Sequence, residues 1–167
     1  MSKELSNITE LSFVNDIKKI VEQGRRTAYG AVNAVMIETY WHIGKRIVQQ
    51  EQNGKERTEY GKRLIEILSK ELTIVYGKGF GTRNLWLFKQ FYQTFNDLEI
   101  LHTRVQNLTW SHILTTLRVE NLVATRWYLQ TATQEMWSVR TLDRNISTQY
   151  FERHFRQPQH FGETDGF

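Results

Sequence analysis

The sequence predicts a mainly α, multi-helix domain, and three observations carry that prediction. Pro158 is the only proline in 167 residues, so the long stretch before it lacks the residue that most often ends a helix. Apolar residues recur at spacings of three and four through most of the chain, the period of a helix with one buried face. Glycine-rich or polar clusters separate these periodic stretches where turns are needed. With 40% hydrophobic residues and 21 aromatics, five of them tryptophan, the chain has the material for one sizeable core.

Each element follows from its spacing. Phe13, Ile17, Ile20 and Val21 line one side of a first amphipathic helix, with Asp16, Lys18, Lys19 and Glu22 on the other. Ala28, Val32, Val35, Met36, Tyr40, Ile43 and Ile47 carry a long helical pattern over 25–50, weakened by Gly30 and Gly44. The polar run from Glu51 to Glu56 reads as a loop. Leu64, Ile67, Leu68, Leu72 and Val75 define the buried face of a helix over 58–76, which the glycines of Gly77-Lys78-Gly79-Phe80-Gly81 should end. Thr82 is the expected N-cap of the next helix, 82–95, with Leu85, Phe88, Tyr92 and Phe95 inward. Residues 98–108 lack a clean period and read as a loop or a short strand pair, a small β wing. Thr109 or Ser111 should cap a short helix through Leu117. Another helix is expected over 120–134, and Ser138 should cap a last one reaching Ile146 or further. The helical domain is thus expected over 8–156, followed by a loose tail, 157–167.

The absence of cysteine excludes disulfides, thiolate zinc sites and a cysteine nucleophile, and fits a reducing compartment. No stretch approaches the roughly 18 apolar residues of a membrane span. Met1-Ser2-Lys3-Glu4-Leu5-Ser6 has no apolar run behind it, so no secretory leader is expected and a cytoplasmic location is.

Net charge is a modest +4, but it is unevenly placed. Residues 1–40 balance five basic against five acidic side chains, 41–95 carry ten against five, and 96–167 carry seven against eight. The excess therefore surrounds the glycine turn and its two helices, as expected of a helix-turn-helix facing a polyanion. On the 82–95 helix Arg83, Asn84, Lys89, Gln90 and Gln93 are residue types that bond guanine or adenine edges, and Lys78 in the turn could meet a phosphate. A second unit of the same spacing lies in 120–146, with a lower local charge, and ranks below the 82–93 segment as the expected reader. There Arg140 and Arg144 share a helix face at i, i+4, although Asp143 lies between them. The competing reading of both is a solvated polar face, and a five-residue glycine turn is long for this motif.

Other chemistry is sparser. His42, His102, His112, His154 and His160 include no i, i+3 or i, i+4 pair, so no helical metal pair forms, and packing or capping roles are expected. His112 beside Ser111 lacks a third group to orient it. The glycine turn lacks the spacing and the Gly-Lys-Ser/Thr ending of a P-loop, and it follows a helix rather than a strand. Trp41, Trp86, Trp110, Trp127 and Trp137 could stack on bases but more commonly pack between helices. Trp86 lies off the apolar stripe and is expected to be exposed.

Six ordered blocks carry a family resemblance. They are Tyr40-Trp41-His42-Ile43-Gly44-Lys45-Arg46-Ile47; Tyr60-Gly61 with Leu68-Ser69-Lys70-Glu71-Leu72; Gly77-Lys78-Gly79-Phe80; Asn84-Leu85 with Phe91-Tyr92; Leu108-Thr109-Trp110-Ser111-His112; and Trp137-Ser138-Val139-Arg140 with Leu142 and Ile146. Together, over about 13–154, they resemble the N-terminal domain of the YhcG-like proteins, a bacterial family of nucleases. The resemblance implies a helical DNA-binding module that precedes a C-terminal PD-(D/E)XK nuclease domain. That catalytic signature is absent here, since no Glu-x-Lys triplet follows a partner carboxylate, and Asp16-Ile17-Lys18 lies on an amphipathic helix. The expectation is a targeting domain without catalytic or metal-binding residues of its own. It needs no cofactor, Mg²⁺ being required only by the missing nuclease domain. DNA is the expected partner, with a homo-oligomer or a nuclease domain as further partners and no membrane. The alternative is a protein-interaction or oligomerisation module of the same system.

Overall fold

The computed structural model describes residues 2–53, 58–97 and 107–156. Seven α-helices account for most of them: α1 (Ser2–Asn53), α2 (Thr58–Tyr76), α3 (Thr82–Thr94), α4 (Trp110–Thr116), α5 (Leu122–Gln134), α6 (Val139–Ser147) and α7 (Tyr150–Arg156). No strand occurs among the described residues, in agreement with the mainly α class. The proposed β wing lies almost wholly in 98–106 and the loose tail in 157–167, both outside the described residues.

The two helical patterns over 13–50 form one helix, α1, about 78 Å long at 1.5 Å per residue. Gly24 sits inside it with open space around its Cα, so it lowers local propensity without forcing a break. The helix also continues through Glu51 to Asn53, where the sequence suggested a loop; Glu51 is held there by Lys89 of α3, with Nζ 2.8 Å from a carboxylate oxygen.

The core centres on α1 and α3. Ile37, Trp41, Phe91, Phe95, Leu108, Ile113, Leu117 and Leu129 form one buried cluster, and Ile47, Ile65, Leu85 and Phe88 a second beneath α2. Phe91 rather than Tyr92 takes the deepest place on α3. Gly44 explains how closely the two helices approach: a Cβ there would stand 2.0 Å from the Phe88 carbonyl oxygen. The ring of Tyr40 stacks on Phe88 at 4.3 Å, and Trp41 donates its indole N–H to the Phe95 carbonyl at 2.6 Å. That bond satisfies the polar atom of a buried tryptophan. A third cluster, Ala124, Tyr128, Ala132 and Leu142, joins α5 to α6, with Phe151 of α7 against it.

The helix ends show how the turns are set. Gly77 (φ +78°) and Gly79 (φ +115°) occupy left-handed backbone that ends α2, as the glycine cluster suggested. Thr82 is not the cap of α3. Gly81, extended at φ −61°, ψ 159°, fills that position, and Thr82 is the first helical residue. Ser138 does cap α6, its hydroxyl oxygen accepting from the Thr141 N–H at 3.1 Å. Past Ile146 the chain does not run on as one helix: Gln149 at φ +55° separates α6 from α7.

Candidate nucleic-acid interface

Two segments have helix-turn-helix spacing, and the structure separates them by what their second helices touch. In the first, α2–turn–α3, the polar residues of α3 serve mainly the fold. Asn84 donates to the Gly79 carbonyl at 2.9 Å and so ties the glycine turn to α3. Lys89, half-buried, forms the ion pair with Glu51 and lies 4.7 Å over the Trp86 ring. Gln90 donates to the Leu117 carbonyl at 3.1 Å, joining α3 to the end of α4. The side chains of Lys78, Arg83 and Gln93 remain exposed, and none makes a hydrogen bond or ion pair among the described residues. Trp86 is 41% exposed, as its position off the stripe suggested.

The second segment, α5–turn–α6, is built differently. Its turn is four residues, Glu135 to Ser138, with Met136 in left-handed backbone at φ +53°. The Glu135 N–H donates to the Thr131 carbonyl and the Trp137 N–H to the Ala132 carbonyl, closing the end of α5 within the turn. Asn121 caps α5 by accepting from Val123 and Ala124. Leu142 is the buried anchor of α6, so the residues on the far side of α6 face outward. Arg140 and Arg144 are both exposed and share one surface concavity with Thr141 and Asp143. Neither guanidinium has a hydrogen bond or ion pair among the described residues.

His112 locks this second segment to α4. Its Nδ1 accepts from the Thr109 N–H at 3.0 Å, which leaves the ring proton on Nε2, 2.8 Å from the Trp137 carbonyl that receives it. One buried imidazole thus closes the start of α4 and fixes the turn before α6. The capping role expected for histidine holds at this position. Among the described residues, no three His, Asp or Glu side chains gather as metal ligands.

The α4–α6 contact adds a residue that sequence spacing missed. Arg118, just past α4, pairs with Asp143 of α6 and lines a concavity with Leu114, Thr115, Val139 and Arg140. Three arginines therefore surround one acidic residue, which is already paired. Arg118 lies far from Arg140 in sequence, and only the packing of α4 on α6 brings them together.

A different surface lies between α1 and α2. A groove of about 630 Å³ is walled by Ile43, Ile47, Leu64, Leu68, Leu72 and Phe80 and is almost wholly apolar. It offers no convergent acid, base or nucleophile for catalysis.

These features define a mainly helical domain whose arginine surface on α6 shares no residue with the apolar groove between α1 and α2. The chain belongs to the family of the DUF1016 N-terminal domain, whose model matches residues 16–153. It is 34% identical over 163 residues to the Escherichia coli (strain K12) protein named "Putative nuclease YhcG". That similarity covers 80% of this chain and 44% of the relative, so the chain spans less than half of the protein it matches. No solved structure matches the chain significantly. Among the described residues no helix is long and apolar enough to cross a membrane.

Proposed function

We propose that this domain binds DNA and serves as the targeting part of a nuclease system, without catalysing cleavage itself. The observation that carries the reading is the pair Arg140 and Arg144, exposed, without an internal partner and displayed on the helix that follows a short, capped turn. Guanidinium groups in this setting meet phosphates bidentately or reach guanine edges, and each phosphate neutralised releases counterions. Arg118 broadens the same cationic surface. Lys78, Arg83 and Gln93 form a secondary contact surface on the other segment. The family match to an N-terminal domain and the name of the relative support a place beside a nuclease rather than in its catalytic centre.

The test is fluorescence anisotropy with a labelled duplex over a salt series. Affinity should fall steeply as salt rises, and Arg140→Glu with Arg144→Glu should remove binding while the thermal transition is retained. Undetectable binding to duplex and single strands at low salt would sink the reading. A protein-interaction role is the second reading. It draws on the apolar groove between α1 and α2, which shares no residue with the arginine surface, so both can hold for one chain.

A further inference from the structure

The strongest unexplained surface of the molecule is the outer half of α1. Residues 11–29 are all exposed, yet Phe13, Val14, Ile17, Ile20, Val21 and Val35 recur at helical spacing and are each 44–67% exposed. At about 100° per residue these side chains fall on one face about 120° wide, continued by Gly24, Ala28 and Ala31. The inner half buries Ile37, Trp41 and Ile47 on the core, and by the same count that buried face points about 180° away from the outer one. The outer stripe is therefore no extension of the bundle core. It looks out on the opposite side of the helix.

An apolar face of this kind needs a partner. The six side chains expose on the order of 600 Å² of apolar surface, at the upper end of what a monomer leaves in one patch and near the roughly 800 Å² per partner of a stable interface. The outer half, which contains Gly24 and Gly30, is also poorly supported as a lone helix, because most helical stability comes from packing an apolar face.

The order of side-chain sizes along the stripe identifies the partner. Along its central seam, 14–31, bulky residues come first (Val14, Ile17, Val21) and small ones follow (Gly24, Ala28, Ala31), with Phe13 and Ile20 on its flank and Val35 beyond it. Two such helices laid antiparallel set Val14 of one against Ala31 of the other, Ile17 against Ala28, and Val21 against Gly24. Large then meets small in each of these three layers, and the backbones approach at the glycines. In parallel alignment, large meets large and small meets small, leaving gaps in half the seam. We propose that the occupant is a second copy of this chain, paired antiparallel through the outer face of α1. In this arrangement the start of the second copy's helix lies beside the apolar groove between α1 and α2. The pairing takes the interaction reading to a partner and a geometry, and it stands whether or not the arginine surface binds DNA.

Sedimentation velocity of the whole chain tests the pairing. The expected mass is about twice the 19.9 kDa of one chain at tens of micromolar, and Ile17→Glu with Val21→Glu should shift it to one chain while the core keeps its cooperative thermal transition. A monomer at every concentration in the unmodified chain overturns the proposal. Because the natural sequence has no cysteine, orientation can be read by oxidation. A mixture of Val14→Cys and Ala31→Cys chains should form a disulfide-linked dimer between the two variants, whereas Val14→Cys alone should not. A linked dimer of Val14→Cys alone means a parallel pair and overturns the geometry.

Discussion

The α2–turn–α3 and α5–turn–α6 segments have similar spacing and similar polar residues, yet they stand in opposite relations to the core. Helix α3 lies against α1 so closely that Gly44 is required at the crossing; Lys89 and Gln90 bond to distant parts of the same chain, and Asn84 to the glycine turn before it. Helix α6 is anchored by Leu142 on one side only, and its arginines face away. A polar residue on an amphipathic helix thus has two destinations, solvent or a remote backbone group, and the spacing is the same for both.

Substitutions in the two segments should separate these roles. The largest effect is expected at Gly44→Leu, because the new side chain would collide with the Phe88 backbone. A loss of about 3 kcal/mol or more, or failure to fold, should appear in urea denaturation. His112→Ala removes both the closure of α4 and the bond to the Trp137 carbonyl, and about 2 kcal/mol is expected from the same measurement. Next, Arg140→Ala with Arg144→Ala should weaken duplex binding about tenfold and reduce the salt slope by about 2, with unchanged stability. Lys78→Ala with Arg83→Ala should cost less than about threefold; a larger loss there than on α6 would reverse the proposed ranking of the two segments. Lys89→Ala should leave binding unchanged and cost about 1 kcal/mol of stability through the Glu51 pair, which is largely shielded from solvent.

The smallest effect concerns Tyr128 beneath α6. Burial pushes its phenol above the ordinary value of 10.0, outweighing the Phe151 N–H that donates to its oxygen and pulls the other way. A pKa raised in the fold means that stability is fully present below about pH 10 and is lost as pH climbs through the raised value. Tyr128→Phe should therefore show a shallower fall in stability above pH 10 than the natural chain, measured by denaturation at a series of pH values.

Much of this architecture was legible in the residues. The bounds of α2 follow from its apolar spacing and the glycine cluster, although Ile65 is the buried residue and Ile67 and Val75, read as inward, are exposed; the α6 cap follows from Ser138 at the head of a periodic stretch. Thr82 was misread because a cap is defined by backbone shape, and the extended residue is Gly81. The break at Gln149 escaped because a left-handed non-glycine residue has no firm sequence signal. In the candidate site, the Arg140 and Arg144 pair could be read from its i, i+4 spacing. The partners of Asn84, Lys89 and Gln90 could not all be read in this way: Glu51 and Leu117 are 38 and 27 residues from the side chains they engage. Arg118 was invisible for the same reason. Its place beside Arg140 is a product of tertiary packing.

Helix α1 is unbroken from Ser2 to Asn53, and this makes it a shaft that fixes the rotational phase between its two ends. The Gly44 crossing keys the inner end to α3, so the azimuth of the outer stripe is set by a residue count alone. One residue inserted near Asn33 would swing Phe13 and Ile17 by about 100° and move them about 1.5 Å along the axis, while leaving every side chain of either surface intact. Seven inserted residues would return the stripe to within about 20° of its original bearing. The angle between the bundle and whatever the outer half of α1 grips is thus written as a number of peptide units rather than as any contact.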